Sequence, residues 1–182
     1  MSNGQLPANL FEVVATVAIN MGRFTWVNRF IKKVSKYVPK ESYQNSYYVV
    51  MARYYFALND FEKALFYTRQ ISYSDDHYYF TSKLLFTMVY FETNDYKGLL
   101  SVLDNFYQYM LKKNNFNQII EKQYKNYLKY MRKLAKIKFT PGENKYAELI
   151  ALKKKLIMKK ILFQVKCGVT QKLKRCKKYL IM

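Results

Sequence analysis

Residue types that build metal sites and reactive sites are scarce in this sequence. Its 182 residues include two cysteines, Cys167 and Cys176, and a single histidine, His77. A zinc site needs several Cys or His ligands in closely spaced pairs, and this set does not supply them. We interpret the two cysteines as free thiols in a reducing compartment, although their spacing would also permit a disulfide. The sequence therefore predicts no metal site and no cofactor.

Glycine and proline are also few, at five and three residues. A chain with so few turn-forming residues is expected to form long secondary-structure elements. No apolar run approaches the roughly 18–20 residues that a membrane-spanning helix needs. The N-terminal segment lacks the basic start of a secretory signal, and Glu12 interrupts its apolar part. We therefore expect a cytoplasmic protein that does not insert into a membrane.

The pattern of an enzyme active site is missing as well. His77 lies beside Asp75 and Asp76 in a predicted surface loop, without a Cys or Ser in a recognisable catalytic arrangement. Asp60 and Asp95 are explained as helix caps. No glycine-rich segment could bind a phosphate group through its backbone. We expect a protein that is not an enzyme.

Acidic residues are scarce only in the C-terminal part of the chain. Through Leu111 there are 11 Lys and Arg against 9 Asp and Glu, whereas from Lys112 to Met182 there are 21 against 3. Nearly the whole net charge of +20 therefore belongs to the last 71 residues. The sequence predicts a nearly neutral body followed by a strongly basic C-terminal region.

Helical periodicity dominates what the chain does contain. Apolar residues recur at helical spacing over residues 10–19, 24–34, 46–58, 61–71, 79–92 and 96–111. Asn9 is expected to cap the first of these helices, and Pro39 is expected to end the second.

A three-residue motif separates these helices in pairs. Asn59-Asp60-Phe61 and Asn94-Asp95-Tyr96 lie 35 residues apart, each between two predicted helices. Asparagine tolerates the left-handed conformation that a tight helix–helix turn requires, and the following aspartate can cap the next helix. Gly22-Arg23-Phe24 fits the same role, with glycine as the usual turn residue and arginine as a poorer cap. The chain should therefore contain three helical hairpins.

These residues resemble the tetratricopeptide repeat, a 34-residue pair of antiparallel helices. The three turn motifs match its Gly-Asp-aromatic turn, and Ala15, Ala52 and Ala64 match its small residues. Several positions depart from the repeat: Thr87 replaces a small residue, Val27 and Leu99 are larger than usual, and only the first unit has the closing proline, Pro39. The resemblance implies an all-α, right-handed solenoid over residues 8–111, with units at about 8–44, 45–79 and 80–111.

The resemblance also implies a binding function. Repeats of this family bind peptides on a concave face lined by the first helix of each unit, so we expect a non-catalytic protein–protein interaction module. The implied lining of unit one is Asn9, Glu12, Val13 and Thr16; that of units two and three is Val49, Val50, Arg53, Phe56, Leu84, Leu85, Met88 and Phe91.

The occupant of this apolar groove could be the chain's own C-terminal helix, an amphipathic partner helix or a second copy. Unit one starts near Met1 without a capping helix, which favours self-association or a longer solenoid.

Residues 112–182 form the predicted basic C-terminal helical region, which packs on the array or extends it. A long helix is expected over 116–137, a loop over 138–145, and further helices over 146–166 and 170–180. The residues that could contact a polyanion are Lys122, Lys125, Lys129, Arg132, Lys133, Lys153, Lys154, Lys155, Lys159, Lys160, Lys172, Lys174, Arg175, Lys177 and Lys178. Nucleic-acid phosphates, an anionic membrane surface, an acidic protein or solvent alone could face them. Tyr124, Tyr127 and Tyr130 are predicted to be able to stack on bases.

Overall fold

The described part of the chain is all-α. The computed structural model describes residues 6–113, 117–140, 147–148 and 150–152, with the side chains of residues 41 and 42 excepted, and none of these residues forms a strand. The helices are α1 (Ala8–Asn20), α2 (Phe24–Val34), α3 (Lys40–Ala57), α4 (Phe61–Gln70), α5 (Asp76–Glu92), α6 (Tyr96–Leu111) and α7 (Gln118–Phe139), with a short 3-10 helix at Ser35–Tyr37. Residues 147–148 and 150–152 are also helical. The all-α prediction is confirmed.

The three turn motifs adopt the predicted backbone conformation. Gly22, Asn59 and Asn94 have φ angles of 73°, 63° and 62°, in the left-handed region. At the first two turns, the hydrogen bonds are those of a Schellman motif: the N–H of Asn59 donates to Phe56 O and the N–H of Asp60 donates to Tyr55 O. The last carbonyl groups of α1 and α3 are therefore satisfied before the next helix starts.

The two aspartates of these motifs cap the helices that follow. Asp60 Oδ1 accepts from the backbone N–H of Lys63 at 3.1 Å, and Asp95 Oδ1 accepts from that of Gly98 at 2.8 Å. Arg23 occupies the same position before α2 and makes no side-chain cap. The capping prediction is confirmed, including the poorer cap at Arg23.

Several helix boundaries differ from the predictions: α3 begins at Lys40 rather than at 46, and α7 continues to Phe139, into the predicted loop. Asn9 does not cap α1, because the helix already begins at Ala8 after Pro7, whose fixed backbone suits a helix start. Pro39 does not end α2, which stops at Val34; it lies instead at the N-cap of α3. His77 does not lie in a loop, because Asp75 caps α5 by accepting from the backbone N–H of Tyr78 at 3.0 Å.

The chain divides into two compact units between Asn94 and Asp95. In the first unit, α1 packs against α2 and α3, and α3 packs against α4 and α5. Its core contains Phe11, Ala15, Val27, Val49, Val50, Ala52, Ala64, Leu85 and Val89, each at most 2% exposed. Because α3 has three helical neighbours, most of its faces are enclosed.

Aromatic rings fill the spaces between the helices of this first unit. Phe30 stacks between Phe11 and Trp26, with ring centroids 5.8 and 4.9 Å away, so one stack runs from the core towards solvent. Tyr47 and Tyr55 of α3 contact Tyr67 of α4, at 6.2 and 5.5 Å. Burial, together with the neighbouring tyrosines, raises the pKa of Tyr47 to about 12. These tyrosines therefore pack α3 against α4.

The second unit contains α6 and α7, which pack against each other. The buried side chains of α6 are Leu99, Leu103, Phe106 and Met110, and those of α7 are Tyr127, Leu128, Tyr130, Met131, Leu134 and Ala135. Ring contacts join the two helices at Phe106–Tyr124 (5.3 Å) and Tyr96–Phe139 (4.8 Å). Asn117 caps α7 by accepting from the N–H of Ile119 at 2.9 Å.

The uncapped start of α2 leads to a stability prediction. Arg23→Asp places a carboxylate where Asp60 and Asp95 accept a backbone N–H, and we expect the free energy of unfolding to rise by about 1 kcal/mol. Asp60→Ala should lower it by about the same amount. Urea unfolding followed by circular dichroism measures both changes.

Arg29→Asp provides the matched control, because it makes the same charge change on the exposed side of α2, away from the cap. If Arg29→Asp stabilises the protein as much as Arg23→Asp, the gain comes from reduced positive charge and the capping explanation is wrong.

Candidate polyanion-binding face of helix α7

Helix α7 divides into a buried side and a basic side. Its 22 residues carry apolar and tyrosine side chains at spacings of three and four, and these are the residues packed into the second unit. The remaining side of the helix carries basic residues: Lys122, Lys125, Lys129, Arg132, Lys133 and Lys136. We call these six residues the basic face of α7. At 100° per residue they fall within about a third of the helix circumference, and they extend along about 21 Å of its axis.

Two of the six basic residues are paired with acids. Glu121 Oε1 lies 2.6 Å from Lys125 Nζ, and this hydrogen bond raises the pKa of Lys125. Asp104 Oδ1 of α6 accepts from Arg132 at 2.7 Å. The guanidinium of Arg132 also lies over the ring of Tyr107, 5.5 Å from its centroid. Exposed pairs of this kind contribute little to stability, but they do orient the two side chains.

The other four basic residues have no acidic partner among the described residues. Lys122, Lys129, Lys133 and Lys136 are exposed, and no carboxylate in the described part of the chain lies within 4 Å of their ammonium groups. Their backbone is fixed because the opposite side of α7 is buried. The result is a line of uncompensated positive charge on a firmly packed helix.

The predicted polyanion contacts lie partly on α7 and partly outside the described residues. Lys122, Lys125, Lys129, Arg132 and Lys133 share one face, and Lys136 extends it. Lys136 is not among the predicted contacts, although its position three residues after Lys133 is sufficient to include it. Ten predicted contacts lie outside the described residues: Lys153, Lys154, Lys155, Lys159, Lys160, Lys172, Lys174, Arg175, Lys177 and Lys178.

The three tyrosines of α7 are not available as a base-stacking surface. Tyr127 and Tyr130 are each 4% exposed and belong to the buried side of the helix. Tyr124 is half-buried and its ring contacts Phe106. The aromatic rings therefore anchor α7, and the exposed lysines provide the surface that a polyanion could contact.

Half of the peptide groove predicted for units two and three belongs to the core. Val49, Val50, Phe56 and Leu85 are at most 8% exposed. Val49 and Leu85 pack together in one apolar cluster, and Phe56 contacts the ring of Phe61 at 5.6 Å. The expectation that these four side chains line an open groove is wrong, because α3 is enclosed by α1, α4 and α5. The other four residues of the predicted groove, Arg53, Leu84, Met88 and Phe91, are partly exposed.

A polar network joins three helices of the first unit; three of its members are buried, and the fourth, His77, is exposed. Glu12 of α1 is 7% exposed, and its Oε1 accepts from the hydroxyl of Ser46 on α3 at 2.9 Å. The same hydroxyl lies 2.9 Å from the Tyr78 hydroxyl on α5. His77 Nε2 lies 3.1 Å from Glu12 Oε2. The predicted position of Glu12 on a concave surface is wrong, because Glu12 is a buried carboxylate with partners from two other helices.

The network favours the charged form of the imidazole. The hydrogen bond with Glu12 raises the pKa of His77; burial and the charge of Arg53 oppose this shift, and Asp75 adds to it. In this network the carboxylate lies between the hydroxyl and the imidazole. In a hydrolase triad the imidazole lies between the hydroxyl and the carboxylate. Because Ser46 is fully buried, we interpret the network as a tie between α1, α3 and α5.

Comparisons with protein-family models, with curated proteins and with solved structures found no match to this chain. Across the described ranges, no helix is both long enough and apolar enough to span a bilayer. The same residues contain no group of three or more His, Cys, Asp and Glu side chains that could bind a metal ion.

The Glu12–His77 contact gives a pH prediction. We expect the pKa of His77 to lie above 6.5 in the folded protein and to fall in Glu12→Gln, which removes the carboxylate charge and keeps the side-chain shape. Because the pKa of His77 is higher in the folded than in the unfolded protein, the Glu12–His77 contact stabilises the fold fully below the unfolded-state pKa. This stabilisation is lost as the pH rises through the folded-state pKa. The chain has one histidine, so a single imidazole proton resonance reports the titration by NMR.

Glu62→Gln, on the exposed side of α4, is the control and should leave this titration unchanged. A His77 pKa that is the same in the wild type and in Glu12→Gln would show that the contact does not exist in solution.

Proposed function

We propose that this protein is a non-catalytic helical-repeat protein that binds the phosphate backbone of nucleic acid through the basic face of α7. The observation that carries this proposal is the line of four exposed lysines that have no acidic partner among the described residues, on a helix whose other side is buried. A helix fixed in this way presents its charges without a large ordering cost on binding.

The chemistry of the basic face fits the phosphate backbone better than base edges. Five of its six members are lysines, which act as point charges, whereas bidentate recognition of guanine is typical of arginine. The single arginine is engaged by Asp104. Binding should therefore depend strongly on salt and little on base sequence, because each neutralised phosphate releases counterions.

A membrane surface fits the basic face less well. A helix that lies on lipid inserts an apolar face into the headgroup region, while its charged face contacts headgroups and water. The apolar side of α7 is packed within the second unit, with Ile119 and Ile120 at its N-terminal end as the exposed exceptions. The lysines could contact anionic headgroups, but α7 has little apolar surface to insert.

The repeat architecture is part of the proposal. We infer a right-handed array of tetratricopeptide-like hairpins that leads into the basic C-terminal region. Three observations support it: the left-handed residue in each of the three turns, the aspartate caps after two of them, and the packing of α1 on α3 and of α3 on α5. In such arrays, the first helices of successive units pack against one another in this way.

A protein–protein interaction module is the second candidate function. Leu84, Met88 and Phe91 lie at spacings of four and three on α5, so they share one side of the helix, and all three are partly exposed. Such a strip could contact an amphipathic partner helix. Chemical-shift changes of the Met88 methyl group on titration with apolar helical peptides would support this candidate.

The nucleic-acid proposal is tested with neutral substitutions on the basic face. The triple variant Lys122→Gln, Lys129→Gln and Lys133→Gln removes three positive charges from α7 in the full-length chain. Single-stranded RNA, single-stranded DNA and duplex DNA are titrated at several salt concentrations. We expect binding to weaken, and the slope of log K against log salt to become shallower by about 2 for single strands and by about 3 for duplex.

The matched control removes three lysines elsewhere. Lys32→Gln, Lys33→Gln and Lys36→Gln make the same change in net charge at exposed positions of the first unit. Equal losses of affinity in the two triple variants would reject a specific role for α7. Binding to anionic vesicles that depends on the α7 lysines, without binding to nucleic acid, would assign the basic face to a membrane surface instead.

A further inference from the structure

The outer side of α1 exposes a continuous apolar strip. Leu10, Val13, Val17 and Met21, the last at the helix C-cap, are 46%, 58%, 52% and 66% exposed. Their spacings of three, four and four place them on one side of the helix. We call these four residues the α1 strip. Monomeric proteins rarely expose contiguous apolar patches larger than a few hundred Å² without a function.

The strip is additional to the apolar surface that α1 needs for folding. The opposite side of the helix contributes Phe11, Ala15, Ala18 and Ile19 to the core of the first unit. A helix at the edge of a fold requires only one apolar side. Apolar residues on both sides therefore indicate a second packing partner for α1.

The charge distribution restricts what that partner can be. The only charged residue of α1 is Glu12, which is buried, whereas each of the other helices α2–α7 contains at least two Lys, Arg, Asp or Glu residues. A partner that recognises this protein through its net charge of +20 would use acidic residues, and the α1 strip offers them nothing to contact.

We propose that the α1 strip is the interface through which two copies of this chain associate. Two chains of charge +20 repel each other, and contact is least costly where neither surface carries charge. Among the helices α1–α7, α1 presents such a surface, and the same strip on a second copy is uncharged and apolar in the same way. The association does not depend on whether α7 binds nucleic acid.

The spacing of the strip fits an antiparallel pair of helices with twofold symmetry. With the axis midway between Val13 and Val17, each Val13 lies opposite the partner subunit's Val17, and Leu10 lies near the partner subunit's Met21. Symmetric dimers of this type pair the same patch on both chains. The strip has four residues, far fewer than the roughly 20–30 per partner typical of stable complexes, so we expect a weak, concentration-dependent dimer.

The experiment is sedimentation analysis of the full-length chain over a wide concentration range, at about 0.3 M salt to screen the net charge. The apparent mass should rise from 21.9 kDa towards twice that value as concentration increases. Val17→Asp buries a carboxylate at the interface, and we expect association to weaken by about tenfold or more. Circular dichroism verifies that the variant keeps its helix content.

Phe66→Asp is the matched control, because Phe66 is 56% exposed on α4 and the charge change is the same. It should leave the association unchanged. A second measurement uses opposite charges: Val13→Lys and Val17→Asp should each be monomeric alone and should associate when mixed. In the mixture, the ammonium introduced at position 13 of one chain faces the carboxylate introduced at position 17 of the other.

Three results would overturn the proposal. The first is a wild-type chain that stays monomeric at every concentration. The second is a dimer that tolerates Val17→Asp or does not re-form in the mixture. The third is loss of vesicle binding in Val17→Asp without any effect on mass, which would assign the α1 strip to a lipid surface.

Discussion

The arrangement of the first unit depends most on the hydrogen bonds made by the buried carboxylate of Glu12. A charged group with so little exposure needs hydrogen-bond partners, and here they come from Ser46 on α3 and His77 on α5. The contact with His77 joins positions 65 residues apart. Loss of either partner would leave a carboxylate poorly satisfied, so α1, α3 and α5 are tied by polar contacts as well as by apolar packing. Glu12 lies on the buried side of α1, and the α1 strip lies on the opposite, exposed side.

Features that depend on local chemistry were predictable from the sequence. The left-handed turn residues Asn59 and Asn94 and the caps at Asp60 and Asp95 follow from side chains within a few positions. The groove was not predictable in this way, because exposure depends on which helices enclose α3, and periodicity gives no information on that. The Glu12–His77 contact joins residues too distant for any local pattern. The apolar surroundings of the single acidic residue in α1 were the only available signal.

The basic face of α7 was predictable from the sequence only in part. Spacings of three and four are sufficient to place the lysines on one side of the helix, because that follows from helix geometry alone. The predicted base stacking by Tyr127 and Tyr130 is wrong, because both rings lie on the buried side; tyrosine as a residue type is compatible with packing or with solvent exposure. The placement of those rings changes the expected recognition chemistry from base stacking to phosphate contact.

The stack of Phe11, Phe30 and Trp26 has a practical consequence for the two compact units. Trp26 is the only tryptophan in the chain, and it lies partly exposed on α2, in ring contact with Phe30. Its fluorescence therefore reports on the hairpin of α1 and α2, whereas far-ultraviolet circular dichroism averages over the helices of both units. If the two signals change at different denaturant concentrations, the units unfold independently; coincident transitions indicate one cooperative fold. The native sequence thus carries its own optical reporter of cooperativity, without any introduced label.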